Sequence, residues 1–222
     1  MAKKQFKFFV GEVDSNGQYT GYRLAFKPNL ATPRAFNDGD TEKYDLTLIV
    51  PKTDKAGIKR IKDAVNGAID ATDWSAKAKQ QVKKTAFEDA DGFGEYALLK
   101  DGDARNERAE DEGATTYDQR AGCYTLKLTR KASFGPPIVV DADAQPIPSM
   151  SIEGAIMAGY WVNVQAIIYC YDYQGKKGVS IQFDAVQVVK ADDVFGQSNP
   201  FEAVEIEPVE VDSSGDSQEV FE

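Results

Sequence analysis

The chain has 222 residues, 42% hydrophobic and 28% charged, with a formal net charge of −10, enough for one domain with a substantial core or two small ones. It contains no histidine, which excludes histidine acid–base chemistry, Ser-His-Asp and Cys-His nucleophiles and histidine-containing zinc sites. No apolar run approaches the roughly 18 residues that span a bilayer, and the opening MAKKQFKFFVGEV is too short and too interrupted by Lys7 for a signal peptide.

A cytoplasmic protein without a membrane partner is therefore expected. Cys123 and Cys170 sit in apolar, strand-like runs and read as two reduced, buried thiols.

From the N-terminus, Gln5–Val13 is Phe-rich and strand-like. The turn Asp14-Ser15-Asn16-Gly17 then leads into Tyr19–Lys27, where Tyr22, Leu24 and Phe26 alternate with Arg23, Ala25 and Lys27. Asn-Gly supplies the positive φ angles of a tight hairpin. Lys43–Val50 is the next strand, stopped by Pro51. Thr53 or Asp54 caps a helix whose stripe is Ile58, Ile61, Val65, Ala68 and Ile69, with Lys55, Lys59, Arg60 and Lys62 outward. A second amphipathic stretch, Asp73 to Phe87, turns Trp74, Ala78 and Val82 inward and Lys77, Lys79, Lys83 and Lys84 outward.

Glu88–Arg120 is polar and rich in Gly and Asp, and reads mainly as loop. Strands resume at Gly122–Arg130 and Ile138–Val140. The two longest follow, Tyr160–Tyr173 and Val179–Lys190, joined by the turn Gln174-Gly175-Lys176-Lys177-Gly178. Strands interrupted by a helical insertion predict a mainly β, α+β fold. An OB-like β-barrel with a helical insertion fits this order, although the pattern alone does not select it.

Tyr160–Tyr173 is the most informative segment. Side chains alternate across a strand. Val162, Val164, Ala166, Ile168 and Cys170 form one apolar face, and Trp161, Asn163, Gln165, Ile167, Tyr169, Tyr171 and Tyr173 form the other. Rings with polar atoms beside amides suit base stacking, worth roughly 1–3 kcal/mol per base. Lys176 and Lys177 in the adjoining turn, with Arg23, Lys27, Lys127 and Lys131 on other strands, are placed for phosphates. The competing reading is that this face packs under the helices or pairs aromatics across strands, as Ile167 in mid-row suggests.

Two other motifs are weaker. Asp89-Ala90-Asp91-Gly92 with Glu95 lacks a third early ligand of a calcium loop, and Leu98 stands where the terminal Glu belongs. Asp101-Gly102-Asp103 with Asp141 or Asp143 has the composition of a two-metal nuclease site, but Asp and Gly also cluster because they build turns. No phosphate-loop motif for ATP is present. Neither a catalytic residue nor a cofactor or metal is expected.

Several short runs occur in an order that resembles a known family. They are Lys43–Asp54 (KYDLTLIVPKTD), Leu99–Asp103 (LKDGD), Pro137–Asp141 with Pro146-Ile147, Gly159–Val164, Tyr169–Tyr173, Gly175–Val179, Val186–Val189 and Phe195-Gly196. The chain resembles a group of tailed-phage single-stranded DNA-binding proteins, formerly catalogued as a domain of unknown function. The resemblance implies an OB-fold and sequence-independent binding of single strands during phage DNA replication or recombination. A non-enzymatic protein that protects the single strand is the expectation. It does not transfer individual DNA contacts.

The net charge is unevenly distributed. Of the 36 acidic residues, ten lie between Asp192 and Glu222, where there is no Lys or Arg; the other 26 match the 26 basic residues of the body. The expectation is an OB domain over 1–190 and a disordered acidic tail over 191–222, too polar to offset ordering entropy. The resemblance implies that such a tail competes with DNA for the basic groove and recruits replication or recombination proteins. Phe221 between Glu219 and Glu222 is the expected docking end, although Glu222 departs from a tail that ends on Phe; the alternative is a solubilising tail without a partner. The rival reading is a non-enzymatic phage protein–protein adaptor. Oligomeric state, a homodimer included, is left open.

Overall fold

The computed structural model describes residues 6–88, 94 and 96–196. Its first strands are β1 (Phe6–Val10), β2 (Glu12–Val13) and β3 (Tyr19–Leu24). The β2–β3 connection falls at Asn16-Gly17 as predicted but is wider than a two-residue turn, since Val13 pairs with Tyr19: the Asp14 carboxylate accepts from the backbone N–H groups of Asn16 and Gln18 at 2.8 and 2.9 Å, and of the Asn-Gly pair only Gly17 has a positive φ, +80°. The sequence reading missed β4 (Asn29–Arg34), a short strand that pairs with β5 (Lys43–Pro51).

Two helices follow, α1 (Lys55–Asp70) and α2 (Ala76–Thr85). The predicted stripe Ile58, Ile61, Val65, Ala68 and Ile69 is buried. Asp54 caps α1 by accepting from the Gly57 N–H at 2.7 Å, and its second oxygen accepts from the Tyr22 hydroxyl at 2.5 Å. A Cβ on Gly57 would stand 2.0 Å from the Tyr22 oxygen, so glycine is required there. Burial first, then the bond to Asp54, pushes the Tyr22 phenol far above its ordinary pKa and keeps it a donor. Asp54→Ala removes the cap and strands the phenol, and is expected to cost about 2–3 kcal/mol. Urea unfolding should show a lower midpoint with an unchanged slope.

The segment read as loop, Glu88–Arg120, is instead partly regular: β6 (Leu99–Asp101), α3 (Gly102–Asp111) and a 3-10 turn at Asp118–Arg120. Periodicity could not reveal α3, because Gly102 is its only buried residue. Its N-terminal cap holds it instead. Asp101 accepts from the N–H groups of Asp103 and Ala104, and Lys52 Nζ lies 2.7 Å from both the Asp101 and Asp103 carboxylates. Gly102 is jammed against the chain, since a Cβ would meet the Arg120 carbonyl oxygen at 2.2 Å. The hydrogen bond from Lys52, then the one from the Gly122 N–H, holds the Asp103 carboxyl below its usual range.

Asp101-Gly102-Asp103 is thus a junction whose carboxylates are already engaged. Asp141 likewise builds a turn, accepting from the N–H groups of Asp143 and Gln145. Among the described residues no cluster of three potential metal ligands occurs. The calcium-like residues Asp89, Asp91, Gly92 and Glu95 lie outside the described residues.

The chain continues through β7 (Cys123–Lys131), β8 (Ile138–Val140), a further unforeseen helix α4 (Ser149–Ala155), β9 (Trp161–Tyr173) and β10 (Lys176–Lys190). The β9–β10 connection is tighter than the five residues read from the sequence. Gln174 and Gly175 have φ +50° and +80°, as a two-residue primed turn requires. Lys176 and Lys177 therefore belong to β10, paired with Tyr173 and Asp172, and not to the turn.

Strands β9, β10, β7, β5 and β3 close on themselves, because β3 pairs with both β5 and β9 and β10 meets β7 in parallel. Closure leaves an interior filled by Leu24, Leu46, Leu48, Leu126, Leu128, Val162, Val164, Ala166 and Phe183. The predicted apolar face of β9 points inward, and α1 packs against β1 and β9. The fold is a mainly β, OB-like five-stranded barrel with a helical insertion between β5 and β7. Cys123 and Cys170 are free and half-buried, and burial pushes both thiols up. No described helix is long and apolar enough to cross a membrane.

Candidate nucleic-acid interface

Directly paired residues share a face of a sheet. On the outer face of β9, Trp161 lies beside Arg23 and Lys190, Asn163 beside Gln187, Gln165 between Phe9 and Ala185, and Ile167 between Lys7 and Gln182. Further out, Tyr169 lies beside Ser180, Tyr171 beside Gly178 and Tyr173 beside Lys176.

The middle of this face is a groove of about 580 Å³, lined among others by Phe9, Tyr19, Gln165, Gln187 and Val140. Phe9 is 52% and Tyr19 38% exposed. Their ring centroids are 5.8 Å apart with 49° between the planes, so neither ring covers the other. Asn163 Nδ2 donates to the Tyr19 carbonyl and to Gln187 Oε1, each at 3.3 Å, and Gln187 Nε2 donates to the Ala142 carbonyl at 3.2 Å. These amides tie both walls to the floor. The arrangement offers two ring faces over an uncharged floor of amides and small apolar side chains, as sequence-tolerant stacking requires.

Phe9 and Tyr19 were missed by the sequence reading. The alternation in Phe6–Phe9 places Lys7 and Phe9 on one face, but only the register of β1 against β9 sets Phe9 opposite Gln165.

The sequence-predicted residues fall in three places. At one end of the groove, Trp161 Nε1 donates to Asp192 Oδ2 at 2.7 Å. Arg23 donates to the carbonyls of Gly159 and Asp193, and its guanidinium lies 4.1 Å from the Phe195 ring centroid. The residues just after β10 thus fold back over Trp161 and Arg23.

The Trp161 indole N–H first, then the Asp193 N–H and the charges of Arg23 and Lys190, holds the Asp192 carboxyl below its usual range. A depressed carboxyl pKa means a contact present at neutral pH and lost as pH falls through that lowered value. In a Trp74→Phe background, Trp161 emission is expected to hold from neutrality down to the carboxylate range and to change only below it. Asp192→Asn should remove that acid transition.

On the projecting β9–β10 arm, Tyr169 and Tyr171 have centroids 6.4 Å apart, and Tyr173 is 68% exposed. The Tyr171 ring lies across Gly178, where a Cβ would come within 2.3 Å of its oxygen. Lys177 pairs with Asp172 at 2.6 Å, while Lys176 is exposed.

The third place is the outer face of β5 and β7. Lys127 pairs with Asp45 at 3.1 Å and lies 5.4 Å from the Phe36 ring. Exposed Lys131 is directly opposite Lys43, which is in turn opposite Arg34. Like charges directly opposed repel, so this row favours an anion. Lys27 is exposed just beyond β3. Glu219, Phe221 and Glu222 lie outside the described residues.

A family model described as the single-stranded DNA-binding protein of Enterobacter phage Enc34 matches residues 19–212. The chain belongs to this family. The match spans β3 to β10, starts at Tyr19, and leaves β1 with Phe9 outside. The barrel is similar to that of the single-stranded DNA-binding protein from bacteriophage Enc34 in complex with ssDNA. The TM-score is 0.57 at 22% identity, over 80% of this chain and 88% of that one. A C-terminal truncation of the same phage protein gives a TM-score of 0.56 at 19% identity, over 88% and 94%. At these identities the likeness concerns the fold. No curated protein sequence matches the chain.

Proposed function

We propose that this protein binds single-stranded DNA without sequence readout along the outer face of β9, and protects it during phage DNA replication or recombination. The observation that carries the reading is the exposed pair Phe9 and Tyr19 over an amide floor, in a chain of the Enc34 family. Bases stack on Phe9 and Tyr19 in the groove, on Trp161 at its end, and on Tyr169, Tyr171 and Tyr173 along the arm. Phosphates meet Arg23, Lys27, Lys127, Lys131, Lys176 and Lys177, joined by Lys43 and Arg34. The protein is not an enzyme and works without a cofactor.

The domain covers 1–190 and the acidic segment 191–222 regulates it. Asp192 and Asp193 already hold Trp161 and Arg23, so the segment competes with DNA at the end of the groove. The terminal Glu219, Phe221 and Glu222 recruit replication or recombination proteins.

The test is fluorescence anisotropy with labelled oligo-dT and a matched duplex at two salt concentrations, without metal. Preference for the single strand is expected. With about four to six of these eight cations on phosphate at once, log K should fall against log salt with a slope of roughly −3 to −4. A flat salt response, or equal binding of duplex, would overturn the reading. Absence of DNA binding together with capture of phage proteins would favour the adaptor.

A further inference from the structure

We infer that Arg105 and Arg120, with the rings of Phe26 and Tyr117, form a second phosphate site that grips the bound single strand beyond the groove. The inference rests on the single-strand reading above. Arg120 projects from the 3-10 turn, and Arg105 from α3 one turn after the Gly102 contact with the Arg120 backbone. The Arg120 guanidinium lies 4.4 Å from the Tyr117 ring centroid and 5.5 Å from that of Phe26, and the two rings meet edge to face at 5.1 Å.

Asn106 clamps Tyr117 at both its backbone carbonyl and its N–H, and Gln119 Nε2 ties the turn to the Ala25 carbonyl at 3.1 Å. The turn that carries Arg120 is therefore anchored before any ligand arrives.

Its charge balance is what asks for a ligand. The Nε atoms of both arginines are buried without a hydrogen-bond partner, and neither guanidinium is paired with a carboxylate among the described residues. Burial first, then the neighbouring Arg105 charge, lowers the Arg120 pKa. Two half-buried guanidinium groups that repel each other, that of Arg120 lying over the Tyr117 ring, leave their Nη donors for an oxyanion.

Position selects a DNA phosphate as that oxyanion. Strand β3 carries Tyr19 in the groove and Arg23 beside Trp161, and Phe26 follows two residues after its end. From Tyr19 to Phe26 the chain covers at most about 24 Å, which puts the shelf within the reach of a bound strand that continues past Trp161.

The experiment compares the full chain with Arg105→Gln/Arg120→Gln on two labelled oligo-dT strands, one of about six nucleotides that fills only the groove and one of about twenty that extends past it. The expected result is equal affinity for the short strand. On the long strand at low salt the variant should bind on the order of tenfold more weakly, with a log–log salt slope shallower by about 1.4. Arg105→Gln alone, which leaves the Arg120 shelf intact, should show about half that slope change and serves if the double variant melts early. Unchanged binding of the long strand would overturn the site, as would an equal loss on both strands. Tighter binding of the long strand by the variant would also overturn it, by showing that the arginines hold the acidic segment instead. If the wild-type chain binds neither strand, the single-strand reading itself fails.

Discussion

Replacing Phe9 and Tyr19 together with alanine is expected to weaken oligo-dT binding by about two orders of magnitude, since each base stack contributes roughly 1–3 kcal/mol. Both rings are substantially exposed, so the thermal midpoint should stay close to that of the wild type. Neither residue carries charge, so the salt slope should not change while the intercept falls. That combination separates stacking from phosphate contact, because a lysine variant such as Lys131→Gln should do the reverse. Anisotropy at several salt concentrations, with a melting curve for each variant, makes the measurement. A loss under about threefold would take the groove out of the DNA path and leave the arm tyrosines Tyr169, Tyr171 and Tyr173 as the stacking surface. A Tyr173→Ala variant then decides between the two, since that ring is the most exposed of the three.

Residues whose role is set within one element were legible in the sequence. The α1 stripe, the Asn16-Gly17 hairpin and the inward face of β9 follow from local periodicity and turn chemistry. The helix α3 was not legible, because its stability comes from the Asp101 cap, the Lys52 ion pairs and the jammed Gly102, none of which leaves a period. The motifs that carry the family resemblance turn out to be largely of this structural kind. Lys43–Asp54 is β5 running into the α1 cap, and Leu99–Asp103 is the β6–α3 junction. They identify the barrel and say little about where DNA lies.

The candidate groove was half legible for the same reason. Alternation along β9 placed Trp161, Asn163 and Gln165 on one outer face with Ile167, Tyr169, Tyr171 and Tyr173. The register that brings Phe9 from β1 and Tyr19 from β3 to that face is a tertiary fact, set by which strand edges pair. Basic residues were the least legible. Lys127 and Lys177 looked free in sequence, yet Asp45 and Asp172 already pair with them. The row of Arg34, Lys43 and Lys131 emerges only from the pairing of three strands.

Two truncations are expected to give unequal gains in DNA affinity, and the difference between them locates the competing segment. Ending the chain after Gly196 removes eight of the ten acids and takes the net charge from −10 to −2, but leaves Asp192, Asp193 and Phe195 over Trp161 and Arg23. The gain should be about tenfold at low salt and should fade as salt rises, because exposed charges beyond about 10 Å are screened at 0.1 M. Ending after Lys190 also frees the Trp161 indole and the Arg23 guanidinium, which are held by hydrogen bonds of 2.7 and 2.9 Å. That cut should add a further severalfold gain that persists at high salt, because it exposes a ring for stacking as well as a charge. The salt slope should steepen by about 0.7 for the Arg23 phosphate contact. Gly159 supplies a check that keeps the chain whole: its φ is +92°, and a Cβ there would meet the Asp193 carbonyl at 2.1 Å. Gly159→Ala should therefore lift the segment and reproduce part of the second gain. If the longer cut adds nothing to the shorter one, Trp161 and Arg23 stand outside the DNA path, and the acidic segment acts through its charge alone.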